Sequence, residues 1–122
     1  MFLRALLFSS LLVLAGTYPV LADTRLVMVE EKGCIWCARW NEEIADIYPK
    51  TGEGKAAPLQ RMDIHAPRPE RLSFARALHY TPTFVLMVDG VEVSRIEGYP
   101  GEDFFWGLLA QMLVNANIAI LE

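Results

Sequence analysis

Cys34 and Cys37 stand three positions apart between a short apolar run and a stretch with helical periodicity, and they are the only cysteines in the chain. This pairing constrains the fold more than any other feature. Leu26-Val27-Met28-Val29 reads as a central strand covered on both faces. Glu30-Glu31-Lys32-Gly33 reads as the loop that delivers Cys34, and Ala38 to Tyr48 reads as a helix. Strand, Cys-x-x-Cys, helix is the context in which such a pair means redox chemistry. On a helix, positions i and i+3 share a face about 5–6 Å apart at Cβ, so a bridge needs little backbone movement.

A cysteine that opens a helix faces unsatisfied N–H groups and the positive end of the macrodipole, which stabilises a thiolate. Thiols so placed have pKa values lowered from about 8.5 into roughly the 3.5–7.5 range. Cys34 is therefore the expected nucleophile. Cys37, one turn in and more buried, is the expected resolving thiol. Glu30 and Glu31 oppose a Cys34 thiolate by repulsion unless solvent and Lys32 offset them.

Other uses of the pair compete with this one. Four-coordinate zinc needs two further ligands, and His65 and His79 lack the spacing of a histidine pair. A c-type haem needs histidine after the second cysteine, where Ala38 stands. An inert structural cystine is the stronger rival, but the loop is too short to restrain much unfolded-chain entropy.

At 122 residues and 53% hydrophobic content the chain supports one domain with a core. A formal charge of −4 supplies no basic patch, so nucleic acid is not an implied partner. Residues 1–22 read as a cleavable signal peptide, with Arg4 as the positive region and Ala5 to Ala15 as the apolar one. Val20-Leu21-Ala22 offers a cleavage point before Asp23, and Val13-Leu14-Ala15 offers a second. Thr17 follows Gly16 where a lipid-carrying cysteine would stand. An uncleaved anchor is the alternative, since residues 5–22 nearly reach spanning length. Cleavage after Ala22 leaves a domain of residues 23–122 with 10 basic and 15 acidic residues, a charge of −5. In an exported chain a structural cystine is ordinary, so the argument for catalysis rests on local sequence.

Within the first helix, Cys37, Trp40, Ile44 and Ile47 or Tyr48 form the apolar stripe, which makes Trp40 a core residue. Trp36 lies between the cysteines and is expected at the surface, packed over the helix end or in contact with a partner, in which case Trp36, Pro82 and Tyr99 form an apolar rim around Cys34 against which the partner docks. Lys50 to Lys55 reads as a surface connection. Leu59 to Ile64 alternates as a strand, and His65 to Pro69 reads as a turn. Pro69 opens an expected helix with Leu72, Ala75 and Leu78 on one face, ending near His79-Tyr80. Thr81-Pro82-Thr83 leads into a strand, Phe84 to Val88, where a proline at the first position is tolerated. Asp89-Gly90 is a two-residue hairpin turn, and Val91 to Glu97 returns. Glu102 to Asn115 reads as a last helix carrying Phe105, Leu108, Leu109 and Met112.

The order β, α with Cys-x-x-Cys, β, α, Thr-Pro, β, β, α resembles the thioredoxin fold, an α/β mixed sheet flanked by helices. The resemblance spans essentially all of residues 23–122. It implies a cis Thr81–Pro82 bond facing the disulfide, and a Thr81 backbone that pairs with an incoming peptide. Gly33-Cys34-Ile35-Trp36-Cys37-Ala38-Arg39-Trp40-Asn41-Glu42-Glu43-Ile44, followed by Tyr48-Pro49, is similar to the SoxS proteins. These are thioredoxin-like periplasmic proteins of the bacterial sulfur-oxidising system. The likeness implies thiol–disulfide exchange on a protein substrate, the sulfur carrier, with no cofactor, in a monomer fed by an upstream membrane electron donor.

There are departures from thioredoxin itself. Gly33 and the Ile-Trp pair replace its Trp before and Gly-Pro between the cysteines. Met28 stands where thioredoxin buries the aspartate that takes the resolving thiol's proton, which leaves Glu30, Glu31 or water. The intervening pair lacks the histidine and proline of strong oxidants, so a reducing or isomerase-like poise is expected. Two rival functions remain. One is a soft-metal module holding copper(I) between the cysteines, and the other is a non-catalytic thioredoxin-like binding domain.

Overall fold

The computed structural model describes residues 15–18 and 22–120. The expected signal peptide, residues 1–22, lies for the most part outside the described residues. β1 (Thr24–Glu30) buries Leu26 to Val29 completely, as its unbroken apolar run dictates. β2 (Leu59–Asp63) lies parallel to it on one side, and β3 (Thr83–Val88) antiparallel on the other. β4 (Val91–Glu97) completes a mixed sheet in the order β2-β1-β3-β4. The β3–β4 turn uses Asp89 and Gly90, both at positive φ (51° and 78°), the geometry that matches strand twist.

Alternate residues of these strands feed two cores. On one face Leu26, Met28, Phe84, Leu86 and Ile96 pack against the cysteine helix and α3 (Glu102–Asn115). Trp40 is fully buried there, its ring centroid 5.3 Å from that of Phe84 and 5.8 Å from that of Phe105. Burying side chains of this size stabilises by about 1.5–3 kcal/mol each. In α3, Phe105, Leu109, Met112 and Leu113 face inward, whereas the expected core residue Leu108 is exposed.

The cysteine helix is not uniform. α1 (Ile35–Trp40) passes into one π-helical turn at Asn41–Ala45, then a 3₁₀ turn at Tyr48–Lys50 and a short helix, α2 (Gly52–Ala56). The extra residue in the π turn shifts the stripe, so Tyr48 is buried and Ile47 exposed. The expected surface connection at Lys50 to Lys55 is thus mostly helical. Thr51 caps α2 by accepting from Gly54 N–H at 3.0 Å.

The other face, with Val27, Val29, Met62, Val85 and Met87, is where the helix from Pro69 was expected. No helix forms there among the described residues. Leu72 and Phe74, two residues apart, both pack on the sheet from an extended segment, and Leu78 closes it. The backbone groups that a helix would pair internally go to the β3–β4 turn and β4 instead. Ser73 N–H donates to Gly90 O at 2.7 Å, and Ser73 O accepts from Glu92 N–H at 2.9 Å. Tertiary bonds have replaced the i→i−4 ladder, and the Leu72, Ala75, Leu78 spacing was misleading.

Candidate active site

β1 ends at Glu30, and the chain turns back over Glu31 to Cys34. Cys34 N–H donates to Glu31 O at 3.2 Å, and Gly33 sits at φ 83°, a conformation that glycine adopts at no steric cost. Cys34 is then the N-cap of α1, with φ −73° and ψ 109°. Its Sγ accepts from Cys37 N–H at 3.1 Å, and its carbonyl accepts from Ala38 N–H at 3.1 Å. The sulfur therefore points at an orphan amide of the first helical turn. Cys34 and Cys37 form a disulfide with Cα atoms 5.2 Å apart. Cys37 is 4% exposed and belongs to the main core, while Cys34 is half-buried against it.

The Thr81–Pro82 peptide is cis. Thr83 Oγ1 donates to Tyr80 O at 2.6 Å and Gly98 N–H donates to Pro82 O at 2.7 Å, which fixes the loop from both sides. Among the described residues the Thr81 amide and carbonyl take no backbone partner. Pro82 is buried and Thr81 half-buried. The link to the cysteine turn runs through Glu31, whose Oε2 lies 3.5 Å from Thr81 Oγ1.

Trp36 is half exposed, with the Arg39 guanidinium 5.8 Å from its ring centroid. It lines a groove of about 390 Å³ together with Tyr80, Thr81, Glu97 and Gly98. Tyr99, expected on the same apolar rim, is buried instead. Its hydroxyl donates to Glu43 at 3.3 Å, and burial together with the Glu43 charge pushes its pKa up to about 12. Tyr80, exposed beside the cis bond, takes the rim position that sequence reading gave to Tyr99.

Of the candidate proton acceptors, Glu30 is paired with Arg61, which also donates to Asn41 Oδ1 at 2.8 Å. Glu31 meets His65 Nε2 at 2.7 Å. Met28 is fully buried beneath the motif, with Arg61 Nη1 3.6 Å from its sulfur. His65 was legible only as part of a turn, and its approach to Glu31 is a contact beside the cysteine turn that sequence patterning misses. His79 stays exposed beside Tyr80, their rings 6.3 Å apart. Among the described residues no three His, Cys, Asp or Glu side chains come together as a metal site.

No family model matches the chain, and no curated protein matches it. Among solved structures, the chain is similar to the periplasmic thioredoxin SoxS from Paracoccus pantotrophus in its reduced form. The two are 54% identical with a TM-score of 0.76, over 77% of this chain and 99% of that one.

Proposed function

The chain belongs to the family of periplasmic SoxS thioredoxins, and on that premise we propose that its Cys34/Cys37 pair reduces disulfides on a protein of the sulfur-oxidising system. The protein is a thiol–disulfide oxidoreductase of the periplasm, and the soft-metal alternative finds no support in this kinship. The observation that carries the assignment of roles is the Cys34 sulfur at the helix N-cap, accepting an amide N–H, bonded to a cysteine that is 4% exposed.

In the reduced protein the Cys34 thiolate attacks a partner disulfide, forms a mixed disulfide and releases the partner's second sulfur as a thiolate. Cys37 gives up its proton, attacks the Cys34 sulfur and expels the partner's first sulfur as a thiolate. Two electrons pass to the partner and the Cys34–Cys37 disulfide remains. The sheltered position of Cys37 delays its attack until the mixed disulfide has formed, because burial disfavours its thiolate. The unpaired Thr81 backbone supports docking of an extended peptide by main-chain hydrogen bonds. Trp36 contributes an apolar wall to the same groove.

The finer assignments follow from the same reading. The substrate is the sulfur-carrier protein, whose cysteine the enzyme keeps in a working state. Regeneration in an oxidising compartment requires an upstream membrane donor of electrons. Residues 1–22 direct export and are removed to leave residues 23–122 as a monomeric domain, which N-terminal sequencing of the periplasmic protein tests. Measuring the reduction potential of the pair tests the direction of flow. A value near about −270 mV supports reduction, whereas one near about −120 mV makes the protein an oxidant.

A further inference from the structure

Glu31 joins three separate segments of the chain beside the redox pair. Its carbonyl accepts from Cys34 N–H at 3.2 Å, which closes a β-turn and keeps the two Cα atoms within about 7 Å. One carboxylate oxygen meets His65 Nε2 at 2.7 Å, on the loop that follows β2. The other lies 3.5 Å from Thr81 Oγ1, next to Pro82. The His65 loop is itself held in place. His65 N–H donates to Asp63 Oδ1 at 2.7 Å, and Arg68 donates to the carbonyls of Ile64 and Ala66 at 2.8 and 2.9 Å.

A thiolate forming at Cys34 sets a second negative charge within one turn of Glu31. A like charge held in the same turn disfavours the second ionisation and raises its pKa. Glu30 adds little to this, since Arg61 engages it. The Glu31 charge would work against the N-cap amide unless a cation answered it.

We propose that His65, held on Glu31, is a positioning residue for the thiol chemistry: as imidazolium it cancels the Glu31 charge and favours the Cys34 thiolate, and as neutral imidazole it withdraws that help. The inference rests on the thiol–disulfide reading above and adds a pH-dependent control to it. The charged groups facing the imidazole are Glu31 from the turn before α1, Asp63 from the end of β2 and Arg68 from its own loop. The Glu31 hydrogen bond and charge, with Asp63 in support, hold the imidazole pKa above its ordinary value, against slight desolvation and Arg68. From the cis-proline loop the nearest polar group is the Thr81 hydroxyl, which is uncharged.

Coupling of this kind is reciprocal, so a Cys34 thiolate that gains from His65 must also stabilise the imidazolium. The chain has two histidines, so ring-proton NMR titration of the wild-type protein can follow both, with His79→Gln assigning the signals. The His65 pKa is expected to be higher in the reduced protein than in the disulfide form, because a nearby thiolate favours the imidazolium. In the reduced protein, thiolate ultraviolet absorbance should show His65→Gln raising the Cys34 pKa and Glu31→Gln lowering it. In the double variant the histidine substitution should lose its effect. A purely structural role would move Cys34 the same way in both single variants. Same-sign shifts, or a His65 pKa that ignores the redox state, overturn the proposal. Reduction of a small disulfide by the wild-type protein tests the parent reading separately, and its failure would sink that reading instead.

Discussion

Arg95 and Glu92 sit three residues apart on β4 and form an ion pair at 2.6 Å with 3% of each side chain exposed. Arg95 also donates to the carbonyls of Ala77 and Arg76, both at 3.1 Å, and Glu92 accepts from Ala75 N–H at 2.9 Å. The pair therefore satisfies three backbone groups in the segment that covers the second face of the sheet. Sheltered charges lose hydration, and these added hydrogen bonds are what make the pair tenable. It fastens an extended segment where a helix would have fastened itself.

Acid should loosen this clamp. Burial pushes the Glu92 pKa up, but the Arg95 hydrogen bonds, the Ala75 amide and the charges of Arg95 and Arg76 outweigh it and lower the value from 4.5. A carboxyl with a lower pKa when folded contributes stability above its unfolded value, and that stability is lost as pH falls through the folded value. Denaturant unfolding should thus show wild-type stability declining below about pH 4.5. Glu92→Gln should cost about 3 kcal/mol at pH 7 and shallow the acid decline. Unchanged slopes in the variant would contradict the clamp.

Much of this was legible in the sequence where local and tertiary preferences agree. Leu26 to Val29 has no polar residue to expose, and Asp89-Gly90 fits a tight hairpin; Glu102 to Asn115 repeats its apolar residues at helical spacing. Thr81-Pro82 before an apolar strand marked the second loop of the site. The misread segment from Pro69 has a helical stripe, but long-range partners, Arg95 and Glu92, decided its backbone bonds. Leu72 and Phe74, two apart, carried the extended signal. The π turn at Asn41–Ala45 has no mark in composition. Tyr80 and His65 joined the site through chain reversals that no short window contains.

Gly54 should prove intolerant of any side chain. It is buried in α2, and a Cβ there would overlap the Tyr48 backbone carbonyl. That carbonyl also accepts from Thr51 Oγ1 at 2.7 Å and Thr51 N–H at 3.2 Å, so it has little room to shift. Gly54→Ala would ordinarily favour a helix, yet here it should destabilise by about 1–3 kcal/mol. A thermal melt in which the variant equals or exceeds wild type would refute this.

The two thiols of the reduced protein should react unequally. Cys34 Sγ is half-buried with an amide directed at it, whereas Cys37 is 4% exposed in the apolar core. Mass spectrometry after brief alkylation should find Cys34 labelled first, by at least about tenfold, since reactivity follows thiolate fraction and access. Cys37→Ala should accumulate mixed disulfides with a partner, and Cys34→Ala should accumulate none. Preferential labelling of Cys37 would reverse the assigned roles.

Trp36 should matter to protein substrates more than to small ones. Its indole is half exposed, it has no place in the apolar stripe of α1, and it walls a groove with Tyr80 and Thr81. Exposed aromatic surface beside a reactive sulfur gives nothing to folding, and it offers a docking partner large contact area at small entropic cost. A small aromatic disulfide needs only the Cys34 thiolate, whereas a folded partner must bury surface around its cysteine. Trp36→Ala should therefore leave reduction of the small disulfide within about twofold, while slowing reduction of the physiological protein partner by about tenfold, the rate equivalent of 1.4 kcal/mol. Tyr80→Ala should follow the same pattern, and Tyr99→Ala, which removes a buried ring, should lower stability instead. Equal losses on both substrates would mean that Trp36 acts on the thiolate or on the packing of α1, and the groove would then lose its claim as the docking surface.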